Sequence, residues 1–127
     1  MADHRVRAAG STVVTWPPAG GQEEWDQLRP GLRIGQRLMG TIAWVPKPGA
    51  IGLGVDLGLP IGGFVDVLLL PGANDDWPEI GTVTEFEVWA MDERYPQIRL
   101  KPVDRAYLRS DFDEWVRRFR PSWPEAR

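Results

Sequence analysis

Apolar and polar residues alternate over two stretches, Arg37 to Val45 (RLMGTIAWV) and Thr82 to Met91 (TVTEFEVWAM), with the two-residue period of a strand that buries one face. Between them, Val55 and Leu57 flank Asp56, and Val65 and Val67 flank Asp66, so each aspartate stands across the pleat from its neighbours. The LGLPIGG segment between these two pieces predicts a hairpin connection. Gln97 to Lys101 (QIRLK) alternates once more. Five short strands at this spacing predict an all-β domain, a small five-stranded barrel.

The flanks follow other patterns. Gly10 to Trp16 (GSTVVTW) is β-branched and aromatic and predicts a short strand, which PPAGG at 17–21 ends. QEEWDQL at 22–28 has Glu23 and Glu24 in what would be a first turn, with Pro30 and Gly31 just beyond, and predicts a helix of one or two turns. The clearest helix is SDFDEWVRRFRP at 110–121, with Ser110 as N-cap, Asp113 three residues later and Pro121 as stop. Phe112, Trp115, Val116 and Phe119 recur at i, i+3, i+4 and i+7, one apolar stripe expected to pack on the barrel. The expected organisation is an N-terminal arm over 1–30, a barrel over 31–102 and a C-terminal helix and tail over 103–127.

The glycine-rich stretch AIGLGVDLGLPIGGFVDV at 50–67 raises the question of phosphate binding. A phosphate-cradling loop places its glycines between a strand and a helix, or ends in GK[ST]. Here they run from strand into hairpin into strand, so they read as bends of a coiled barrel strand.

Composition narrows the chemistry. At 127 residues, with 43% hydrophobic and 26% charged residues, the chain has the length and balance of one ordered domain. It has no cysteine, which excludes a disulfide, a thiolate metal site and a cysteine nucleophile. The one histidine, His4, lies in an expected frayed terminus, so Ser11, Ser110 and Ser122 have no base to activate them. The acid pairs Asp75–Asp76 and Asp92–Glu93 fall in turns and read as solvated turn residues. No enzyme activity, cofactor or metal is expected. No apolar run approaches the ~20 residues that span a membrane, and MADHRVRAAGSTVV lacks the apolar core of a secretory signal, so a cytoplasmic protein with no membrane partner is expected.

The order of glycines and strands resembles the RNA-binding domain of the ribosomal protein S1 type. The matching pieces are IGQRLMGTI with Gly35 and Gly40, then Val55-Asp56-Leu57-Gly58, then Gly63-Phe64-Val65, and finally GTVTEFEVWAMDERYPQIRLKP with Gly81, Asp92, Ile98 and Leu100. The resemblance covers 31–102 and implies an OB-fold barrel. It also implies a single-stranded RNA face made of two aromatics on strand two, a histidine on strand three, and an aspartate and an arginine near strand five. Those positions fall on Ile51, Gly54, Asp66, Asp92 and Pro96. Only Asp92 keeps the family's residue type, so the implied RNA face is degenerate.

Charge bears on the choice of partner. The formal net charge is -3, but from Pro48 to Glu93 there is no Lys or Arg against nine acids, leaving the middle at -9 and the flanks at +6. Asp56, Asp66, Asp75, Asp76, Glu85 and Glu87 are therefore candidates for an acidic face meeting a basic protein partner, with an adaptor, inhibitor or immunity-type role. The expected function is a non-catalytic binding module for such a partner. The alternative is weak single-stranded nucleic-acid binding by a relocated stacking platform of Trp44 and Trp89, with Lys47, Arg99 and Lys101 as phosphate contacts. Trp44 and Trp89 could equally be packing residues, and packing is their expected use. Trp16, Trp25, Trp115 and Trp123 are expected to anchor arm and tail to the barrel.

Overall fold

A computed structural model describes residues 4–7, 13–46 and 51–124. Its centre is a closed barrel of five strands: β3 (Arg37–Trp44), β4 (Gly52–Asp56), β5 (Gly63–Asp66), β6 (Val83–Met91) and β7 (Ile98–Pro102). Around the barrel the order is β3-β4-β5-β7-β6, closing back on β3. The β5–β7 pair is parallel and every other barrel pair is antiparallel. This is the strand order and closure of a small OB-fold-like barrel. The five strands expected from alternation are the five observed, and β3, β6 and β7 each lie within one residue of their expected ends.

Alternation places Ile42, Leu53, Val55, Val65, Phe86, Val88, Ile98 and Leu100 inside, all fully buried. The barrel is narrow, so two inward positions take no side chain: a methyl on Gly40 would collide with Val55 and come within 3.3 Å of the Phe86 ring, and one on Gly63 would lie 2.5 Å from Leu100. Leu69, Leu70 and Trp77 of the β5–β6 connection extend this core, and the Trp77 indole donates to the Pro71 carbonyl at 2.8 Å.

The arm is more ordered than the sequence suggests. β1 (His4–Arg7) pairs antiparallel with β2 (Val13–Trp16), His4 opposite Trp16, so His4 lies in a strand and not in a frayed end. The expected strand start at 10–12 lies outside the described residues. α1 (Gln22–Leu28) has the predicted bounds, and the Glu24 carboxylate accepts from the Gly21 amide at 2.7 Å, which holds that carboxyl below its usual pKa. Its Trp25 is fully buried and donates to the Asp92 carbonyl at 2.7 Å, while Gln22 donates to the Glu93 carbonyl at 3.0 Å. The helix thereby fixes the β6–β7 loop.

α2 (Phe112–Phe119) starts later than expected. Asp111 is the N-cap residue and no side chain caps the helix, so the Ser110 capping pair does not form. Asp113 instead accepts from Arg105 at 3.0 Å and Asp111 from Arg109 at 2.6 Å, and each guanidinium holds its partner's carboxyl below the usual range. The apolar stripe does face the barrel: Phe112 is buried, Trp115 and Val116 are half-buried, and Phe119 projects outward, 66% exposed.

Candidate functional site

Two strand irregularities decide which side chains reach the surface of the barrel. Strict alternation along β3 would point Trp44 inward after Leu38, Gly40 and Ile42. A bulge between Ile42 and Trp44 inserts one residue, so Ile42 and Ala43 are both buried and Trp44 emerges 38% exposed, opposite Gly54. In β6 a bulge between Val88 and Ala90 makes Trp89 the extra residue and turns Ala90 outward, opposite Arg99.

Along β4 the outward positions are glycines, yet Gly52 and Gly54 are buried. The arm covers Gly54, while Gly52 lies against the Val65 carbonyl and the Phe64 ring. A methyl on Gly54 would run into the Trp16 ring, and one on Gly62 would lie 2.9 Å from it. Trp16 therefore seats on bare backbone, and the segment after it is pinned by Gly20, whose amide donates to the Pro60 carbonyl at 2.9 Å. The glycines read as strand bends are also the floor of this seat.

Beside Trp16 opens a cleft of about 190 Å³ walled by Trp44, Phe64 and Pro96. Drug-sized ligands need roughly 300 Å³ or more, so the cleft suits a single flat ring or side chain. Through Gln97 it adjoins a second cleft of about 260 Å³ lined by Ala90, Met91, Asp92, Tyr95 and Arg99. The two make a groove across β5, β7 and the loop that α1 holds.

The electrostatics differ along the groove. Among the described residues no ionisable side chain lines the first cleft. Arg99, half exposed, stands 3.9 Å from Asp66 and opposite Phe64 in the β5–β7 pairing. An exposed pair at that separation is loosely held, which leaves the guanidinium able to turn to another anion. The Asp66 carboxylate also accepts from the Leu68 amide at 2.9 Å and the Asp92 carboxylate from the Arg94 amide at 2.7 Å, so each closes a local turn.

The residues expected from sequence divide between this groove and other places. Trp44, Pro96, Asp92 and Arg99 line it, Gly54 lies beneath Trp16, and Asp66 pairs with Arg99. Ile51, exposed, precedes β4, and its carbonyl accepts from Val67 at 3.0 Å. Lys47 lies outside the described residues. Trp89 and Lys101 belong elsewhere, which corrects the pairing of Trp44 with Trp89. Trp89 packs among Phe112, Trp115 and Trp123, with centroids 5.0–6.2 Å away and the Arg120 guanidinium 4.5 Å from its own centroid. Lys101 is 7% exposed, 2.7 Å from Glu87 and 5.3 Å from the Phe112 centroid, so it is no phosphate contact.

The acidic candidates do not gather as one unpaired face. Glu85 and Glu87 lie 3.6 and 3.7 Å from Arg37, Glu87 also meets Lys101, and Asp56 accepts from the Gly58 amide at 3.0 Å. Asp75 and Asp76 remain exposed in a 3-10 turn, Asn74–Asp76. Among the described residues no three His, Asp or Glu gather as a metal site, and no helix is long and apolar enough to cross a membrane.

Sequence reading missed Trp16, Phe64 and Tyr95 as groove residues. The usable signal was Gly54, a glycine at an outward strand position, which marks close approach by something else, together with an aromatic in a proline-rich arm.

No family model matches the chain, and no curated protein matches it. Among solved structures, it is similar to a multidomain protein with nucleic acid binding domains from Streptococcus pneumoniae, at 15% identity and a TM-score of 0.43, over 94% of this chain and 41% of that one. The chain thus spans less than half of that protein's length.

Proposed function

We propose that the chain is a non-catalytic binding module whose groove takes the bases of single-stranded nucleic acid, an S1-like use of the barrel with relocated aromatics. One observation carries this reading. OB barrels bind oligonucleotides on the face of strands two and three with the flanking loops, and the groove takes in the third barrel strand, β5, and the β6–β7 loop, with Trp16, Trp44, Phe64 and Tyr95 on it. Every base has a π-face, so such a site holds bases without needing a dense set of polar groups. A sugar site would need that set, and among the described residues Gln97 is the one amide or charged side chain lining the first cleft. Arg99 on β7, with Arg94 exposed in the preceding β6–β7 loop, supplies positive charge at the second cleft.

Titration of the full chain with a fluorescein-labelled single-stranded RNA of about 12 nucleotides, within the site size of one OB fold, tests the proposal. Saturable binding at low salt, lost with Trp44→Ala and Phe64→Ala together, is expected. No binding at low salt would overturn it. Capture of a specific protein that survives nuclease treatment would then move the reading to a protein partner.

A further inference from the structure

We infer that Trp16, donated by the N-terminal hairpin, is itself a ligand-contacting ring, so that the groove is incomplete without the arm. The inference rests on the binding role proposed above and names the residue that completes the site.

The seat of Trp16 is built for a ring. Gly54 in β4 and Gly62 in the hairpin just before β5 carry no side chain, and a methyl at either would meet the indole. An outward glycine inside a strand gives up packing and conformational economy, a cost that a close approach offsets. Next to the ring, the Gly20–Pro60 hydrogen bond ties the chain to the β4–β5 hairpin. Behind it, β2 pairs with β1. The indole is therefore held on both sides along the chain as well as from below.

Being held does not make the ring a plug. With Trp16 in its seat a cleft of about 190 Å³ stays open, and Trp16 remains half-buried and lines it with Trp44 and Phe64. A plug would fill that space. The β4 surface, which carries no aromatic of its own, thus acquires one from the arm, and a ring entering the cleft would meet three aromatic walls. Loss of one stack from such a platform lowers affinity by roughly 10- to 100-fold.

The test uses the full chain and the same labelled RNA. Trp16→Leu is expected to lose about tenfold or more in affinity, while Trp16→Phe, which keeps a ring, stays close to wild type. Far-UV circular dichroism and the urea midpoint check that both variants keep the fold. In the wild-type protein, 4-thiouridine in the RNA should cross-link on irradiation to the peptide containing Trp16, a readout independent of how the variants fold. Equal affinity of wild type and Trp16→Leu, or cross-links confined to other peptides, would overturn the inference while leaving the groove's binding role standing. Tighter binding by Trp16→Leu would overturn it by showing the ring to be a block. If wild type binds no RNA, the proposed function fails and this inference with it.

Discussion

Lys101 and Glu87 show how far a residue's setting departs from its type. A lysine in an alternating strand reads as a solvent-facing contact, yet Lys101 is covered by α2 and the tail, its ammonium 2.7 Å from Glu87, 3.1 Å from the Pro102 carbonyl and 5.4 Å from the Trp123 centroid. Removing one partner of a covered pair strands the other's charge. Lys101→Met and Glu87→Leu are each expected to lower stability by about 2–4 kcal/mol, and the double variant to cost about 1–3 kcal/mol less than their sum. Urea denaturation of the four proteins measures this, and additive costs would show that the two charges are not coupled. Trp44 is the opposite case: it is a strand aromatic that alternation buries and a single extra residue exposes. Nothing in the local sequence of β3 announces the bulge, because the register shift is set by what β4 offers across the ladder.

At the scale of elements, the periodic segments were legible and the irregular ones were not. The five barrel strands follow their hydrophobic periods, which reflect burial of one face and need no knowledge of the partner, and α1 follows its acidic first turn and the Pro30–Gly31 stop. The cap of α2 was misread because Ser110 has the right type and spacing, while Arg105 and Arg109 bind the neighbouring aspartates and the chain enters the helix one residue later. The β1 strand escaped notice because its value lies in pairing with β2. Phe112, 4% exposed, is the main anchor of α2, touching Trp89, Trp115 and Trp123 at centroid separations of 6.0–6.4 Å. Phe112→Ala should cost on the order of 3 kcal/mol and release α2 from a barrel that stays folded. Near-UV circular dichroism should fall while amide protection in β3–β7 persists. An unchanged near-UV spectrum would refute this anchoring role.

Across the whole molecule, charge segregated along the chain is paired in space. The acidic middle meets the basic flanks around the barrel, through Arg37 with Glu85 and Glu87, Lys101 with Glu87, Arg99 with Asp66, and Arg29 with Glu93 at 3.9 Å. Among the described residues Arg99 is the one cation lining the groove, with Arg94 in the adjoining loop, so RNA binding there should depend weakly on salt. With about 2–4 phosphate contacts, the slope of log K against log salt should lie near −2, and a slope much steeper than about −3 would show backbone attraction, not stacking, to dominate. Titration at several salt concentrations gives the slope. By itself the sequence determined the five-stranded barrel and the absence of cysteine, since these follow from local periodicity and composition. The tertiary structure alone decided which aromatics share a groove, because Trp16 reaches it from the arm, Trp44 through a bulge and Tyr95 through a loop held by Trp25. A site assembled from separate elements has no linear pattern; its only trace in the chain is the bare glycine floor on which it is built.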